Sequence, residues 1–344
     1  MSELLYPPRF LALAAEYPEW TLCRVLSQGK GQYRILSAQG EQLAVVSGKF
    51  RYETEVPSDY PAVGDYVMAD INHGDTAVIQ HVLHRQSVFL RRAAGTAKKE
   101  QAVAANIDTV FLCMSLNHDL NLRRLERYLT VAWDSGALPV VVLTKRDLCS
   151  DDTHILAEVQ RVALGVDVLT TSALQHAWDA LQTYILPGKT VAFVGSSGVG
   201  KSTLINCLLG TEQLETNGLR NDDKGRHTTT RRELLILPNG AMVIDTPGMR
   251  ELGMWDAAEG MLSAFSDIET LAAQCRFQNC THQGEPGCAV RAALERGELE
   301  TERWHSYGKL MAENAFTADA DSYLAAKEKK FKELARYNKT NRKR

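Results

Sequence analysis

Near the middle of this 344-residue chain, the run GSSGVGKST at Gly195–Thr203 has the residue types and spacing to hold a row of phosphates. It fits G-x-x-x-x-G-K-[ST] and lies between an apolar run, TVAFV, and a helix-like run, KSTLINCLL. Gly195, Gly198 and Gly200 let the backbone turn tightly, so that its N–H groups point at phosphate oxygens. Ser196, Ser197 and Val199 complete that cradle, and the following helix adds the positive end of its dipole. Lys201 is expected to reach the outer phosphates and Ser202 to ligate magnesium, with Thr203 next to it. This loop specifies a nucleoside triphosphate without naming its base.

The base is named by TKRD at Thr144–Asp147, which comes after the apolar run VVVL. Lys145 is expected to lie over the purine plane, and Asp147 to accept from the ring N–H and amino group of guanine, with Arg146 between them. Adenine has no donor at those positions and leaves Asp147 unpaired, which a site built for hydrogen bonds rejects strongly. Thr144 stands where such motifs usually carry Asn, and its hydroxyl has a shorter reach. TSA at Thr171–Ala173 fits a loop whose backbone, at Ser172 and Ala173, meets the guanine carbonyl. DTPG at Asp245–Gly248 offers Asp245 to magnesium through water and the Gly248 N–H to the γ-phosphate. GRHTTT at Gly225–Thr230 supplies a switch threonine, with Thr229 the favoured one. Met249 occupies the place of a water-orienting Gln in Ras-type enzymes, so His227 becomes the candidate for that task. The base-reading motif precedes the phosphate loop, the reverse of the order in an ordinary small GTPase. The circle of motifs is therefore cut after DTPG, which places the second switch shortly before a cysteine-rich segment.

That segment, CRFQNCTHQGEPGC, sets Cys275, Cys280, His282 and Cys288 in a C-x4-C-x-H-x5-C array. Three thiolates and one imidazole form a complete tetrahedral set for a structural zinc, with no open position. The four remaining cysteines, at 23, 113, 149 and 207, are scattered and mostly in apolar runs, as core residues are.

These groups need elements to position them. From about Thr21 to Leu90, five runs (TLCRVLS, QYRILS, QLAVVSG, DYVMADI, TAVIQHVL) are bounded by Gly, Pro, Asn and Asp clusters and read as short strands. Five such strands suit a small barrel, of which the OB-fold is the kind most used on RNA. Arg91–Gln101 is small and basic and reads as a linker. From Ala105 strands alternate with helices, including helices near Asp152–Ala163 and Leu174–Ile185, which implies a parallel sheet covered on both faces. Helical sequence begins again at about Met261. The expected division is a barrel over 1–92, a circularly permuted α/β P-loop GTPase over 93–262, and a helical zinc-binding unit over 263–344.

No apolar run reaches the roughly 18 residues of a membrane span, and the start lacks the pattern of a secretory signal. A cytoplasmic monomer with no membrane partner is expected. The net charge of −3 conceals an asymmetry, since Lys327–Arg344 carries +7 and the rest −10. Tyr323, Leu324, Phe331, Leu334 and Tyr337 recur among the lysines as one stripe of a basic helix. Barrel, zinc unit and basic tail on one chain favour RNA as the partner. The residues alone leave open a GTPase acting on an RNA, tRNA among the candidates, and an RNA-binding scaffold with GTP as a conformational ligand.

Carrying GSSGVGKST, GRHTTT, DTPG and the cysteine array in that arrangement, the chain resembles the circularly permuted, small-ribosomal-subunit-dependent GTPases of bacteria over nearly its whole length. The resemblance implies an OB-fold, GTPase and zinc-unit architecture and a low intrinsic GTPase stimulated by the small subunit. It also implies a late role in that subunit's maturation, contacts to ribosomal RNA, and hydrolysis to GDP driving release.

Overall fold

In the strand Tyr33–Ser37 every second side chain is buried, and the same half-buried habit runs through its neighbours, so these strands need a closed surface to bury one face. A computed structural model describes residues 6–29, 31–72, 74–92, 100–117, 120–211, 214, 233–245 and 258–311. After a short helix α1 (Pro8–Ala14), the strands β1 (Thr21–Gln28), β2 (Tyr33–Ser37), β3 (Gly40–Val46), β4 (Tyr66–Asp70) and β5 (Thr76–Val82) pair in the order β1-β2-β3-β5-β4. Pairing of β4 back onto β1, with Leu22 opposite Met68, closes them into a five-stranded OB-like barrel. The pair β3–β5 is parallel and the others antiparallel. Val25, Ile35, Val67 and Ile79 fill the interior. Helix α2 (Gly48–Glu53) bridges β3 to the later strands, capped where the Ser47 hydroxyl accepts from the Phe50 N–H, and Phe50 packs against that core.

The expected linker at 91–101 is in part a hairpin: β6 (Val88–Arg92) pairs antiparallel with β7 (Glu100–Ala105), so Gln101 lies opposite Arg91. The hairpin spans the boundary expected at 92/93. Beyond it come β8 (Thr109–Ser115), α3 (Leu122–Asp134), β9 (Leu138–Thr144), α4 (Thr153–Val162), β10 (Asp167–Thr170), β11 (Thr190–Val194), α5 (Lys201–Leu209), β12 (Glu233–Ile236) and β13 (Met242–Asp245). Their order across the sheet is β10-β9-β8-β11-β13-β12, parallel except for β12. All seven residues of β8 are buried, because both faces of the sheet are covered. Val110, Leu112 and Met114 face a core shared with α3 and α4, and Phe111 and Cys113 face one shared with α5. The helix expected near Leu174–Ile185 is a single 3-10 turn, Asp179–Thr183, because Ser172 and Ala177 exchange two backbone hydrogen bonds just before it.

Barrel and GTPase sheet are one structure. Ser27 of β1 pairs with Glu233 of β12, and Arg34 reaches the same Glu233 at 2.6 Å. Beneath them Arg24 is fully buried, donating to Thr190 Oγ1 at 2.9 Å and stacking 4.0 Å over Tyr66. The buried Asp65 and the half-buried Arg85 form a second pair at 2.7 Å.

Of the C-terminal helices, α6 (Ala258–Ala264) packs on α3, α7 (Ser266–Ala272) on α6 and α8 (Ala289–Arg296) on α7, while the helical residues 301–311 meet α3 through Arg303 and Glu126. Phe265, Ile268, Val290 and Ala293 belong to the same core as Leu125 and Leu129, so the unit adds to the GTPase core. Helices α3 and α6 meet at Gly260, where a Cβ would stand 2.1 Å from the Thr130 carbonyl oxygen; only glycine permits that approach. At the centre Arg303, 5% exposed, holds Glu126, 3% exposed, at 3.0 Å and Asp267 at 2.7 Å. It also donates to the Ala264 carbonyl, while the Ser306 hydroxyl donates to Glu126. Burial pushes the Glu126 carboxyl above its ordinary value, and the bonds from Ser306 and Arg303 oppose that rise.

Removing one partner of such a pair leaves a buried charge unmatched, at a cost of about 3–5 kcal/mol. Arg303→Met is therefore expected to lower the thermal unfolding midpoint by several degrees, with Glu126→Met added on top restoring most of the loss. Equal midpoints for wild type and Arg303→Met would show that the pair contributes nothing.

Candidate nucleotide site and cysteine–histidine centre

In a parallel sheet the loops after the strands gather at one edge, and that edge holds ligands. Here the sheet register sets Thr144 level with Ser115, Thr170 with Leu143, and Val194 with Leu112, so the ends of β9, β10 and β11 share that edge. Asp245 closes β13, next to β11, at the same edge and is half-buried.

The loop after β11 has the conformation its glycines allow. Gly195, Gly198 and Gly200 have φ of 154°, 80° and 99°. A Cβ on Gly195 would lie 2.4 Å from the Cys113 carbonyl oxygen, so strand β8 excludes any side chain there. Lys201, the first residue of α5, is buried, and its ammonium donates to the Gly195 and Ser196 carbonyls at 2.7 and 2.6 Å. Its tip therefore lies at the inner rim of the loop, where phosphate oxygens can replace those carbonyls. Ser197 and Gly198 are exposed, Val199 is buried, and Ser202 and Thr203 are half-buried in the first turn of the helix.

Thr144, the last residue of β9, is buried. Its hydroxyl lies 2.5 Å from the Val199 carbonyl and 3.3 Å from that of Met114, so the shorter side chain does bridge the base loop to the phosphate loop. Next to it Lys145 is left-handed, with φ of 58°, which turns the chain into Arg146 and Asp147. The Arg146 N–H donates to the Thr171 carbonyl at 3.0 Å, and Arg146 pairs with Asp152 at 2.6 Å. The fully buried Ser172 donates its hydroxyl to Asp147, which orients that carboxylate, while Ala173 packs on the α5 core. Base loop, TSA loop and phosphate loop are thus locked together by hydrogen bonds.

One residue of this site was not legible as a motif. Arg124, in the first turn of α3, donates to the Ser196 hydroxyl and so touches the phosphate loop from a helix far from it in sequence. The available signal was Asn121, which caps α3 by accepting from the Arg124 N–H at 3.0 Å and thereby fixes where that turn begins. His227, Thr229 and Gly248 lie outside the described residues, as do Met249 and the basic tail.

The second candidate site comes together as the spacing requires. The ligand atoms of Cys275, Cys280, His282 and Cys288 all lie within 4.8 Å of one another. The Cys275 and Cys288 sulfurs are 4.0 Å apart, and His282 Nδ1 is 3.6 and 3.4 Å from them. Bonds of about 2.3 Å to a tetrahedral ion set sulfurs about 3.8 Å apart, so the arrangement can hold a metal ion. Backbone N–H groups of Ala289 and Arg291 donate to the Cys275 and Cys288 sulfurs, the second as the cap of α8. Glu285 ties the loop by accepting from Thr281, Gln283 and Gly284; the Thr281 hydroxyl and these N–H groups hold its carboxyl well below the ordinary range. Trp304 meets the His282 ring edge-on at 5.5 Å, joining the centre to residues 301–311. Of the other cysteines, Cys23 and Cys113 are buried in the barrel and sheet cores.

Known proteins are similar to this chain in sequence and fold. A family model described as RsgA GTPase matches residues 82–255. The small ribosomal subunit biogenesis GTPase RsgA 2 of Lactiplantibacillus plantarum is 52% identical over 297 residues, spanning 86% of this chain and 84% of that one. Its counterpart in Opitutus terrae is 48% identical over 319 residues, spanning 89% and 87%. The crystal structure of YjeQ from Thermotoga maritima superposes with a TM-score of 0.64 at 28% identity, over 85% of this chain and 98% of that one. That of YloQ, a circularly permuted GTPase, gives 0.61 at 26% identity, over 86% and 94%. With the ends of β9, β10, β11 and β13 gathered at one sheet edge and its motifs in permuted order, the chain belongs to the RsgA GTPase family and is a GTP-hydrolysing enzyme.

Proposed function

We propose that this enzyme hydrolyses GTP while bound to the small ribosomal subunit, late in the subunit's maturation, and departs once GDP has formed. The observation that carries the reading is the locked pair of loops, with Thr144 bonded to Val199, in a chain 52% identical to an enzyme named for small-subunit biogenesis. Lys145 would cover the guanine plane, and Asp147, oriented by Ser172, would accept its two donors. Lys201 would leave the Gly195 and Ser196 carbonyls for the outer phosphates. Ser202 and Asp245 would hold the magnesium that accompanies GTP and offsets charge on the phosphates. Gly248 and Thr229 would sense the γ-phosphate, and His227 would orient the attacking water in place of the Gln that Met249 replaces. The cysteine–histidine centre would hold one structural zinc, since its four ligands leave no position for a substrate. Ribosomal RNA is the partner surface, the cytoplasm the compartment, and a monomer the working form; among the described residues no helix is long and apolar enough to cross a membrane.

GTP turnover with and without purified small subunits tests this directly. A large stimulation is expected, lost in His227→Ala while GTP binding persists; stimulation by other RNA but not by subunits would point to a different substrate, and no turnover at all to a scaffold. Thr144→Val keeps the shape but leaves the Val199 carbonyl without its donor, costing about 1–3 kcal/mol. Titration with fluorescent GDP should show affinity weakened on the order of tenfold in Thr144→Val and retained in Thr144→Ser. Equal affinity in all three would remove Thr144 from the site.

A further inference from the structure

A groove of about 460 Å³ runs along the seam between α3 and residues 301–311, lined by Arg123, Arg127, His305, Ser306, Lys309 and Leu310. Arg123 and Arg127 are four residues apart on one helix, as are His305 and Lys309 on the other, so each helix turns one basic face into the same trough. Among the described residues no carboxylate lines it. Glu126, which sits between the two arginines in sequence, is turned beneath the surface to Arg303 and Ser306. Arg123, His305 and Lys309 are exposed and have no hydrogen-bond or ion-pair partner among the described residues. Arg123 and Lys309, facing one trough on a chain whose net charge is −3, repel each other until an anion lies between them.

We infer that this groove seats the phosphodiester backbone of an RNA strand across the joint between the GTPase core and the C-terminal helices. The inference rests on the reading that the enzyme works on the small ribosomal subunit, and it names the surface that meets the RNA. Guanidinium groups match phosphate oxygens in planar pairs, and Lys309 adds a point charge. Besides this groove, the chain beyond residue 311 carries +7 over Lys327–Arg344. A long polyanion uses both; a free phosphate or nucleotide has no use for the second. Because the groove is built from both sides of the seam, its shape depends on the docking that Arg303 maintains.

The test is full-length Arg123→Gln/Lys309→Gln, neither residue being part of the nucleotide or metal site. Its affinity for purified small subunits should fall at least about tenfold at 0.1 M salt. Two lost phosphate contacts should also flatten the slope of log affinity against log salt by about 1.4–1.8. Subunit-free GTP turnover and the thermal midpoint should match wild type. Ultraviolet crosslinking should join peptides 122–134 or 301–311 to ribosomal RNA. An unchanged affinity and slope, or crosslinks from both peptides to ribosomal protein alone, would overturn the inference and leave the functional reading standing. If wild type itself fails to bind subunits, the functional reading falls. The same two proteins compared on a uridine homopolymer then decide the groove alone: a flatter slope for the variant supports it, and identical binding overturns it.

Discussion

The molecule depends on a buried ion pair at the joint between its two halves. Glu126 on α3 and Arg303 near the end of the described chain are both almost inaccessible, and their meeting is supported by Ser306, Asp267 and the Ala264 carbonyl. Neither charge is tolerable in that core without the other. The pair therefore specifies a single docking of the C-terminal helices, and Gly260 lets α3 and α6 close to backbone contact around it. The metal-binding loop is placed in turn, since Trp304 packs on His282 one residue from Arg303. At the start of the same helix Arg124 reaches Ser196 of the phosphate loop. One helix thus spans from nucleotide site to C-terminal joint, and its exposed face supplies half of a cationic groove.

A second joint, between barrel and sheet, gives the permuted order a mechanical meaning. The segment holding GRHTTT leads into β12, where Glu233 pairs with Ser27 and Arg34 of the barrel. The segment holding DTPG leads into α6, which is packed on α3. Each switch segment is therefore tied at its downstream end to a neighbouring module, one to the barrel and one to the metal-binding unit. In an unpermuted chain the second switch would lead back into the GTPase sheet.

Much of this was readable from residues alone, for physical reasons. The phosphate loop was legible because only glycine fits the φ values at 195, 198 and 200, and a lysine must come directly after them. The metal array was legible because four ligands lie within one short loop. The barrel strands were legible because alternation over five runs has few other uses. The unreadable features were pairings across large separations: Glu126 with Arg303 is 177 residues apart, and Arg24 with Thr190 is 166. Nothing local marks a buried charge until its partner is known. Local polarity also misled at 91–101, where a basic, small-residue run is in part a paired strand, and at 174–185, where a bridge between Ser172 and Ala177 uses up the start of an expected helix.

The central claim is that the Ser27–Glu233 and Glu126–Arg303 joints hold barrel, GTPase core and C-terminal helices in one arrangement through the nucleotide cycle. Dipolar distances between spin labels at Gln39, in the β2–β3 turn, and Glu302, attached through unnatural amino acids to spare the cysteine centre, measure that arrangement end to end. The expected result is one distance distribution shared by the GDP and non-hydrolysable GTP states, on and off the small subunit. A distribution that shifts with nucleotide would contradict the account, because it would require the Glu126–Arg303 joint or the Ser27–Glu233 joint to open during the cycle.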